Sequence, residues 1–186
     1  MTMTATPATA PPDESPARRG PWRYVLLAVV GLFAALWIWA LFFASKEAVN
    51  KIGDRAWAAR AQDICAAAKA QRLELTDLRR VEEDDLAMLA ERADIVDRAT
   101  DIVERMLDDV TAAQPSDPKG RAIVPQWAAD YRMYIEDRRQ FADDLRAGKS
   151  GAFAETAVDG IPISDKLAVF AGDNRMPDCG PPIDLA

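Results

Sequence analysis

The longest apolar run of the chain lies close to its N-terminus and predicts a membrane-spanning helix. Residues 24–44, YVLLAVVGLFAALWIWALFFA, contain no charged side chain over 21 positions. Because a helix rises about 1.5 Å per residue, this run is long enough to cross a hydrocarbon core of about 30 Å. A cleaved signal peptide has a shorter apolar core followed by a small-x-small site, and Phe42 occupies the position that should be small. We therefore expect an uncleaved transmembrane segment in the lipid bilayer.

The charges beside this run favour a cytoplasmic N-terminus but do not decide the orientation alone. Three arginines precede the run, at positions 18, 19 and 23, and basic residues are enriched on the cytoplasmic side of membrane helices. Four basic residues follow it: Lys46, Lys51, Arg55 and Arg60. Gly31 and Ala35 form a small-xxx-small pair that allows two such helices to approach, so the sequence also allows a homo-oligomer.

Apolar residues at helical spacing predict two further long helices. The first follows the membrane segment with only Gly53 as a weak point, which predicts one continuous helix from Tyr24 to about Arg80. The second places apolar residues at alternating steps of three and four, which is a heptad seam. Its seam residues are Leu86, Leu89, Ala93, Val96, Thr100, Val103, Leu107 and Val110.

The rest of the chain predicts a third long helix and a mixed tail. A proline suits a first helical position, so the third helix is expected to start near Pro125 and to end before Gly148. Residues 152–158 are expected to form a short helix, and Asp159-Gly160 a turn. A last short helix is expected over residues 165–173.

Cys65 and Cys179 are the only cysteines, and the chain contains no histidine. Two interpretations stay open, namely a disulfide that joins the first soluble helix to the C-terminal tail, or two unrelated buried thiols. Cys179 lies in a loop sequence, RMPDCGPP, that gains most from a covalent tie, so we favour the disulfide. A disulfide indicates an oxidising compartment and therefore an extracytoplasmic domain.

These elements predict an all-α fold in three parts. Residues 1–23 are rich in Thr, Ala and Pro and are expected to be a disordered cytoplasmic tail. Residues 24–44 are the transmembrane helix. Residues 45–186 are the extracytoplasmic domain, in which the membrane helix continues into an antiparallel three-helix bundle with a short C-terminal helix and a disulfide-tied tail.

Composition excludes several function classes. Residues 45–186 carry 20 lysines and arginines against 28 aspartates and glutamates, and this acidic balance is unfavourable for nucleic acid. The sequence shows no metal motif, no nucleophile motif and no phosphate-binding loop, so we expect no metal, no cofactor and no enzymatic activity. A carboxylate-dependent envelope hydrolase stays as the least favoured alternative.

Two groups of apolar residues are candidates for binding a partner. Ile161, Pro162 and Ile163 lie outside any periodic stripe and are the better surface candidate, although they also suit a cap over the end of the bundle. Trp127 and Tyr131 are aromatic residues of the type that anchors interfaces, although they also suit a bundle core. Neither pattern decides between the two roles.

The chain resembles uncharacterised single-pass envelope proteins of actinobacteria. The resemblance rests on the Pro/Thr-rich tail, the single membrane segment, and the sequences DYRMYIEDRRQFADDLRAG and GIPISDKLAVFAGDNRMPDCGPP, and it covers most of residues 20–186. It implies a location in the cell envelope and brings no activity or site residues. We expect a membrane-anchored helical bundle that binds or scaffolds an envelope protein. The alternative is a small-ligand-binding helical domain with a cavity beside Trp127 and Tyr131.

Overall fold

The computed structural model of the protein describes residues 21–43, 48–75 and 85–182. The chain forms two compact units, residues 1–46 and 47–186. The described residues are mostly helical, with five α-helices, a two-stranded hairpin and a short 3₁₀ helix. The tail that the sequence predicts to be disordered lies almost wholly outside the described residues.

The described part of the first unit is a single apolar helix, α1, Trp22–Phe42. It is long and apolar enough to cross a membrane or to act as a signal sequence.

The second unit begins with a non-helical segment and a new helix. The expected continuous helix to about Arg80 is therefore wrong, because residues 48–54 are not helical and α2 spans Arg55–Leu73. Asp54 is the N-cap of α2, and its carboxylate accepts a hydrogen bond from the backbone N–H of Trp57 at 2.9 Å. This bond satisfies an N–H group that a helix start leaves free, so a separate helix is stable here.

The predicted heptad seam forms one face of α3, Leu86–Thr111. All its residues are buried except Leu86, at the first position of the helix. Asp85 is the N-cap and accepts from the backbone N–H of Met88 at 3.0 Å. The apolar period of the sequence thus predicted both the helix and its buried face.

The third predicted helix starts earlier than expected. α4 spans Pro118–Arg146, and Pro125 lies inside it rather than at its start. Asp117 is the N-cap and accepts from the backbone N–H of Gly120 at 2.7 Å, while Pro118 takes the first helical position. The predicted end is confirmed, because Gly148 has a φ of 78° just after the helix, in the left-handed region that glycine adopts at low cost.

Ion pairs connect α3 and α4, which are antiparallel, along their shared face. Arg146, at the end of α4, pairs with Asp94 at 2.8 Å, near the start of α3. Arg139, two turns earlier in α4, pairs with Asp101 at 2.5 Å and Glu104 at 3.1 Å, further along α3. The later residue of α4 thus pairs with the earlier residue of α3, which shows that the two helices are antiparallel.

A hairpin replaces the short helix expected over residues 152–158. β1, Ala157–Val158, pairs antiparallel with β2, Ile161–Pro162, and α5, Ile163–Asp173, follows directly. The predicted turn is confirmed, since Asp159 and Gly160 have φ values of 56° and 77°. Positive φ at both central residues is the requirement of a tight two-residue hairpin turn.

The C-terminal segment is held onto the helices by a disulfide and by a hydrogen bond from a tyrosine. Cys65 of α2 is bonded to Cys179, which ends the 3₁₀ helix Pro177–Cys179, and this confirms the predicted bridge. The Tyr131 hydroxyl donates to the carbonyl oxygen of Gly180 at 2.9 Å. The tail is therefore part of the core packing.

Candidate functional site

A groove between α4, α5 and the hairpin is the best candidate site in the described part of the chain. Its volume is about 540 Å³, which lies within the usual range for ligand sites. We call it the α4–α5 groove. Its apolar lining residues are Ile123, Trp127, Ala129, Ile161, Val169 and Phe170, and its polar ones are Asn50, Gln126, Asp130, Asp165 and Lys166.

Two stacked aromatic rings form the buried wall of the groove. The rings of Trp127 and Phe170 lie 5.2 Å apart between centroids with an interplanar angle of 21°. Tyr131 packs against Trp127 in a T-shaped arrangement, with 5.3 Å between centroids and an interplanar angle of 80°. Because each ring is packed by another, this wall is rigid.

The indole N–H of Trp127 is a buried donor without a hydrogen-bond partner among the described residues. Trp127 is only 3% exposed. Buried N–H groups in native structures nearly always find an acceptor, so this unsatisfied donor is an exception within the core and costs stability.

The groove has apolar edges that remain open to solvent. Ile161 and Val169 are 49% and 53% exposed. Val169 lies off the buried face of α5, which is formed by Ile163, Leu167, Phe170 and Ala171. Each edge therefore presents an aliphatic side chain that the domain core does not use.

Hydrogen bonds to two carboxylates fix the hairpin edge. Asp137 of α4 accepts from the backbone N–H of Thr156 at 2.7 Å and from its hydroxyl at 2.8 Å. Glu155 accepts from the backbone N–H and hydroxyl of Ser164, both at 2.8 Å. Because these bonds lie on either side of the turn, Ile161 is presented in one position.

The charged side chains of the groove are unequally paired. Lys166 forms an ion pair with Asp130 at 3.0 Å. Asp165 lies in the first turn of α5, and its exposed carboxylate has no hydrogen bond or ion pair with the described residues. The groove edge therefore keeps one unpaired negative charge.

Asn50 connects the groove to the segment that precedes α2. The side-chain amide of Asn174 donates to the carbonyl oxygen of Asn50 at 2.9 Å, and its oxygen accepts from the backbone N–H of Ile52 at 2.8 Å. Asn174 is the C-cap of α5 and is 5% exposed. This buried amide therefore fixes residues 50–52 against the end of α5.

The structure separates the residues that the sequence proposed for partner binding. Ile161 lies at the groove edge, whereas Ile163 is fully buried in the core and offers no surface. Pro162 is half-buried in β2. Trp127 and Tyr131 both belong to the core, and of the two only Trp127 lines the groove.

Sequence reasoning missed Asp165, Val169 and Phe170 as groove residues. Val169 carried a usable signal, since it is an apolar residue off the periodic face of α5. Asp165 carried none, because an exposed acid near a helix start is ordinarily read as a favourable partner of the helix dipole. Its position in the groove depends on α4 and the hairpin.

The described residues contain no group of three or more His, Cys, Asp or Glu side chains that could hold a metal ion. In the groove, the carboxylate of Asp130 is engaged by Lys166. The arrangement is suited to binding an apolar surface that carries a polar or charged group.

Comparison with known proteins adds no relative. No family model, no curated protein and no solved structure matches the chain.

Proposed function

We propose that the protein is a single-pass membrane protein whose extracytoplasmic helical domain binds another protein of the cell envelope through the α4–α5 groove. The observation that carries the proposal is the groove itself. Two half-exposed aliphatic side chains, Ile161 and Val169, flank a rigid wall of Trp127 and Phe170. Buried aromatic anchors beside exposed apolar edges are typical of the centre of a binding surface.

One feature supports the membrane location, and a second, independent feature supports the placement of the second unit outside the cytoplasm. α1 has the length and hydropathy of a transmembrane helix, and three arginines precede or begin it. The Cys65–Cys179 disulfide indicates an oxidising compartment for the second unit. In this proposal residues 1–23 are cytoplasmic, and α2, α3 and α4 form an antiparallel three-helix bundle outside the cytoplasm.

The groove is preorganised, which favours binding. The hairpin is tied by Asp137 and Glu155, and the far end of α5 is tied by Asn174. A surface that is already ordered loses little conformational entropy when a partner binds. The membrane anchor adds a second advantage, because confinement to one surface raises the effective concentration of both partners.

A small amphiphilic ligand is the second candidate, favoured by the groove volume. Small-molecule sites usually bury most of the ligand surface. Here Ile161 and Val169 stay half-exposed at the edges. This open form suits the surface of a protein better than an enclosed ligand.

Photocrosslinking in membranes tests the proposal. The photoreactive amino acid p-benzoylphenylalanine replaces Val169 in the full-length protein, and separately replaces Leu86 as a control. Leu86 is also an exposed apolar helix residue, but it lies outside the groove. We expect one recurrent adduct from position 169 and none of that mass from position 86.

A second variant makes the result specific to the groove. With the photoreactive residue at Ile161, the same adduct is expected to form, and the added change Val169→Asp is expected to abolish it without lowering the melting temperature appreciably. Equal adducts from positions 86 and 169, or an adduct that survives Val169→Asp, would contradict the proposal. A folded protein that gives no adduct at either groove position would also contradict it.

A further inference from the structure

The unpaired charge at the groove edge indicates the chemistry of the partner. We propose that the α4–α5 groove receives a peptide segment in which a basic side chain lies beside a bulky apolar one. This inference rests on the function proposed above and specifies the partner's sequence character. The basic side chain pairs with Asp165, and the apolar one lies between Ile161 and Val169.

The spacing of Asp165 and Val169 sets this pairing. Both residues lie in α5 and both line the groove. They are four positions apart, so they are neighbours on one helix face with about 5–6 Å between their Cβ atoms. A partner that covers Val169 with an apolar side chain therefore brings its next side chains to Asp165.

The charge balance of the groove favours a cation. Asp130 and Lys166 neutralise each other at 3.0 Å, which leaves the carboxylate of Asp165 without a partner among the described residues. The whole domain adds to this field, since residues 45–186 carry eight more acidic than basic side chains. An acidic domain attracts basic segments and repels anionic ones at long range.

The acidic edge favours a basic peptide over a lipid surface. The carboxylate of Asp165 can pair with a basic side chain of a peptide. It repels the headgroups of a membrane rich in anionic lipids.

A peptide selection on the full-length protein in zwitterionic phosphatidylcholine nanodiscs tests the inference. Peptides are selected from a random 12-residue display library, with the Val169→Asp protein used to remove clones that bind elsewhere. We expect the selected sequences to place Lys or Arg next to, or one helical turn from, Leu, Ile, Phe or Trp. Synthetic versions of the selected peptides are then titrated by fluorescence anisotropy.

The charge variants give the decisive comparison. We expect Asp165→Asn to weaken peptide binding about threefold and Asp165→Lys about tenfold, as for the loss and reversal of an exposed ion pair. Glu136→Gln is the matched control, because Glu136 is an exposed acid of α4 that does not line the groove. It is expected to leave the affinity unchanged.

Each result separates this inference from the function it rests on. Selected peptides without basic residues, whose binding is abolished by Val169→Asp but unchanged by Asp165→Lys, would overturn the inference and leave the groove as a protein-binding site. If no peptide prefers the wild-type protein over Val169→Asp, both are overturned. A Val169-dependent dimer without peptide binding, or binding of anionic vesicles alone, would assign the groove to a different occupant and overturn the inference.

Discussion

Asp54 and Asp117 cap two different helices and are hydrogen-bonded to each other. The backbone N–H of Asp54 donates to Oδ1 of Asp117 at 3.0 Å, while each carboxylate also accepts from the start of its own helix. Ser116 adds two bonds, from its backbone N–H at 2.8 Å and its hydroxyl at 2.7 Å, to Oδ2 of Asp54. The start of α2 is therefore fixed to the start of α4, which holds the segment before α2 in the domain.

This pair of caps predicts loss of stability in acid. The backbone N–H of Trp57, followed by the backbone N–H and hydroxyl of Ser116, lowers the pKa of Asp54 from 3.8 to about 2. Burial acts to raise the pKa of Asp117, but hydrogen bonds from the backbone N–H groups of Gly120, Gly53 and Asp54 outweigh it and lower that pKa. The folded state therefore binds these protons less tightly than the unfolded chain.

The stability that these carboxylates provide is present above the pKa of an unfolded aspartate and is lost as the pH falls through the folded value. We expect the melting temperature of the full-length protein in detergent to fall as the pH is lowered from about 5 to about 2. Asp54→Asn is expected to lower the melting temperature at pH 7 and to flatten its fall in acid. Glu136→Gln should keep the wild-type profile, and an equally steep acid transition in Asp54→Asn would refute this role.

Replacing the buried side chain of Asn174 is expected to lower the free energy of unfolding, because its amide makes several hydrogen bonds. Asn174→Ala removes the acceptor of the Ile52 N–H and the donors to Asn50 and Phe170. Leaving a buried N–H unsatisfied costs about 1–3 kcal/mol, so we expect a loss of that order in the free energy of unfolding. Urea unfolding followed by circular dichroism measures it, with hydrogen exchange at the Ile52 amide as a local readout.

Asp173→Ala is the matched control for this variant, because Asp173 is the neighbouring residue at the end of α5 and makes no hydrogen bond or ion pair with the described residues. It should change the free energy of unfolding little. If Asn174→Ala leaves the Ile52 amide as protected as in the wild type, the amide does not hold the segment before α2, and that part of the account is wrong.

The buried hydrogen bond between Thr100 and Arg138 predicts that replacing Thr100 lowers the free energy of unfolding more than replacing other threonines of α3. Oγ1 of Thr100 donates to the carbonyl oxygen of Val96 at 2.7 Å and accepts from Nε of Arg138 at 3.0 Å. Both side chains are fully buried. Thr100→Val keeps the shape but removes the acceptor for a buried cation, so we expect about 1.5–3 kcal/mol of destabilisation in urea unfolding.

Thr111→Val is the matched control for the Thr100 variant. The hydroxyl of Thr111 also donates to a carbonyl oxygen one turn earlier, that of Leu107 at 2.8 Å, and it holds no buried charge. Its replacement is expected to cost under about 1 kcal/mol. Equal losses for the two variants would show that the bond to Arg138 contributes nothing of its own.

The sequence predicted the parts of this structure that depend on local period and covalent chemistry. The seam of α3, the end of α4 at Gly148 and the turn at Asp159-Gly160 all follow from spacing and backbone preferences. The Cys65–Cys179 bridge followed from the poor packing prospects of a loop cysteine. Each of these features is determined by a short stretch of sequence or by the pairing of the two cysteines.

The parts that the sequence did not predict depend on contacts between distant residues. α2 starts as a new helix because Asp54 is held by Ser116 and Asp117, which lie more than 60 positions away. The hairpin displaces the expected short helix because Thr156 is bonded to Asp137 on α4. The α4–α5 groove likewise exists only once α4, α5 and the hairpin are assembled, so no local pattern marks it.

Thiol labelling in intact cells tests the central claim, an anchored domain outside the cytoplasm, most directly. Cys65 and Cys179 are the only cysteines of the chain and are bonded to each other. With a membrane-impermeant maleimide, we predict no labelling of the membrane-bound protein before reduction. After treatment with an impermeant phosphine reductant and denaturation, we predict two labels per chain. Labelling that needs permeabilised cells but no reductant would place free thiols in the cytoplasm and contradict the account.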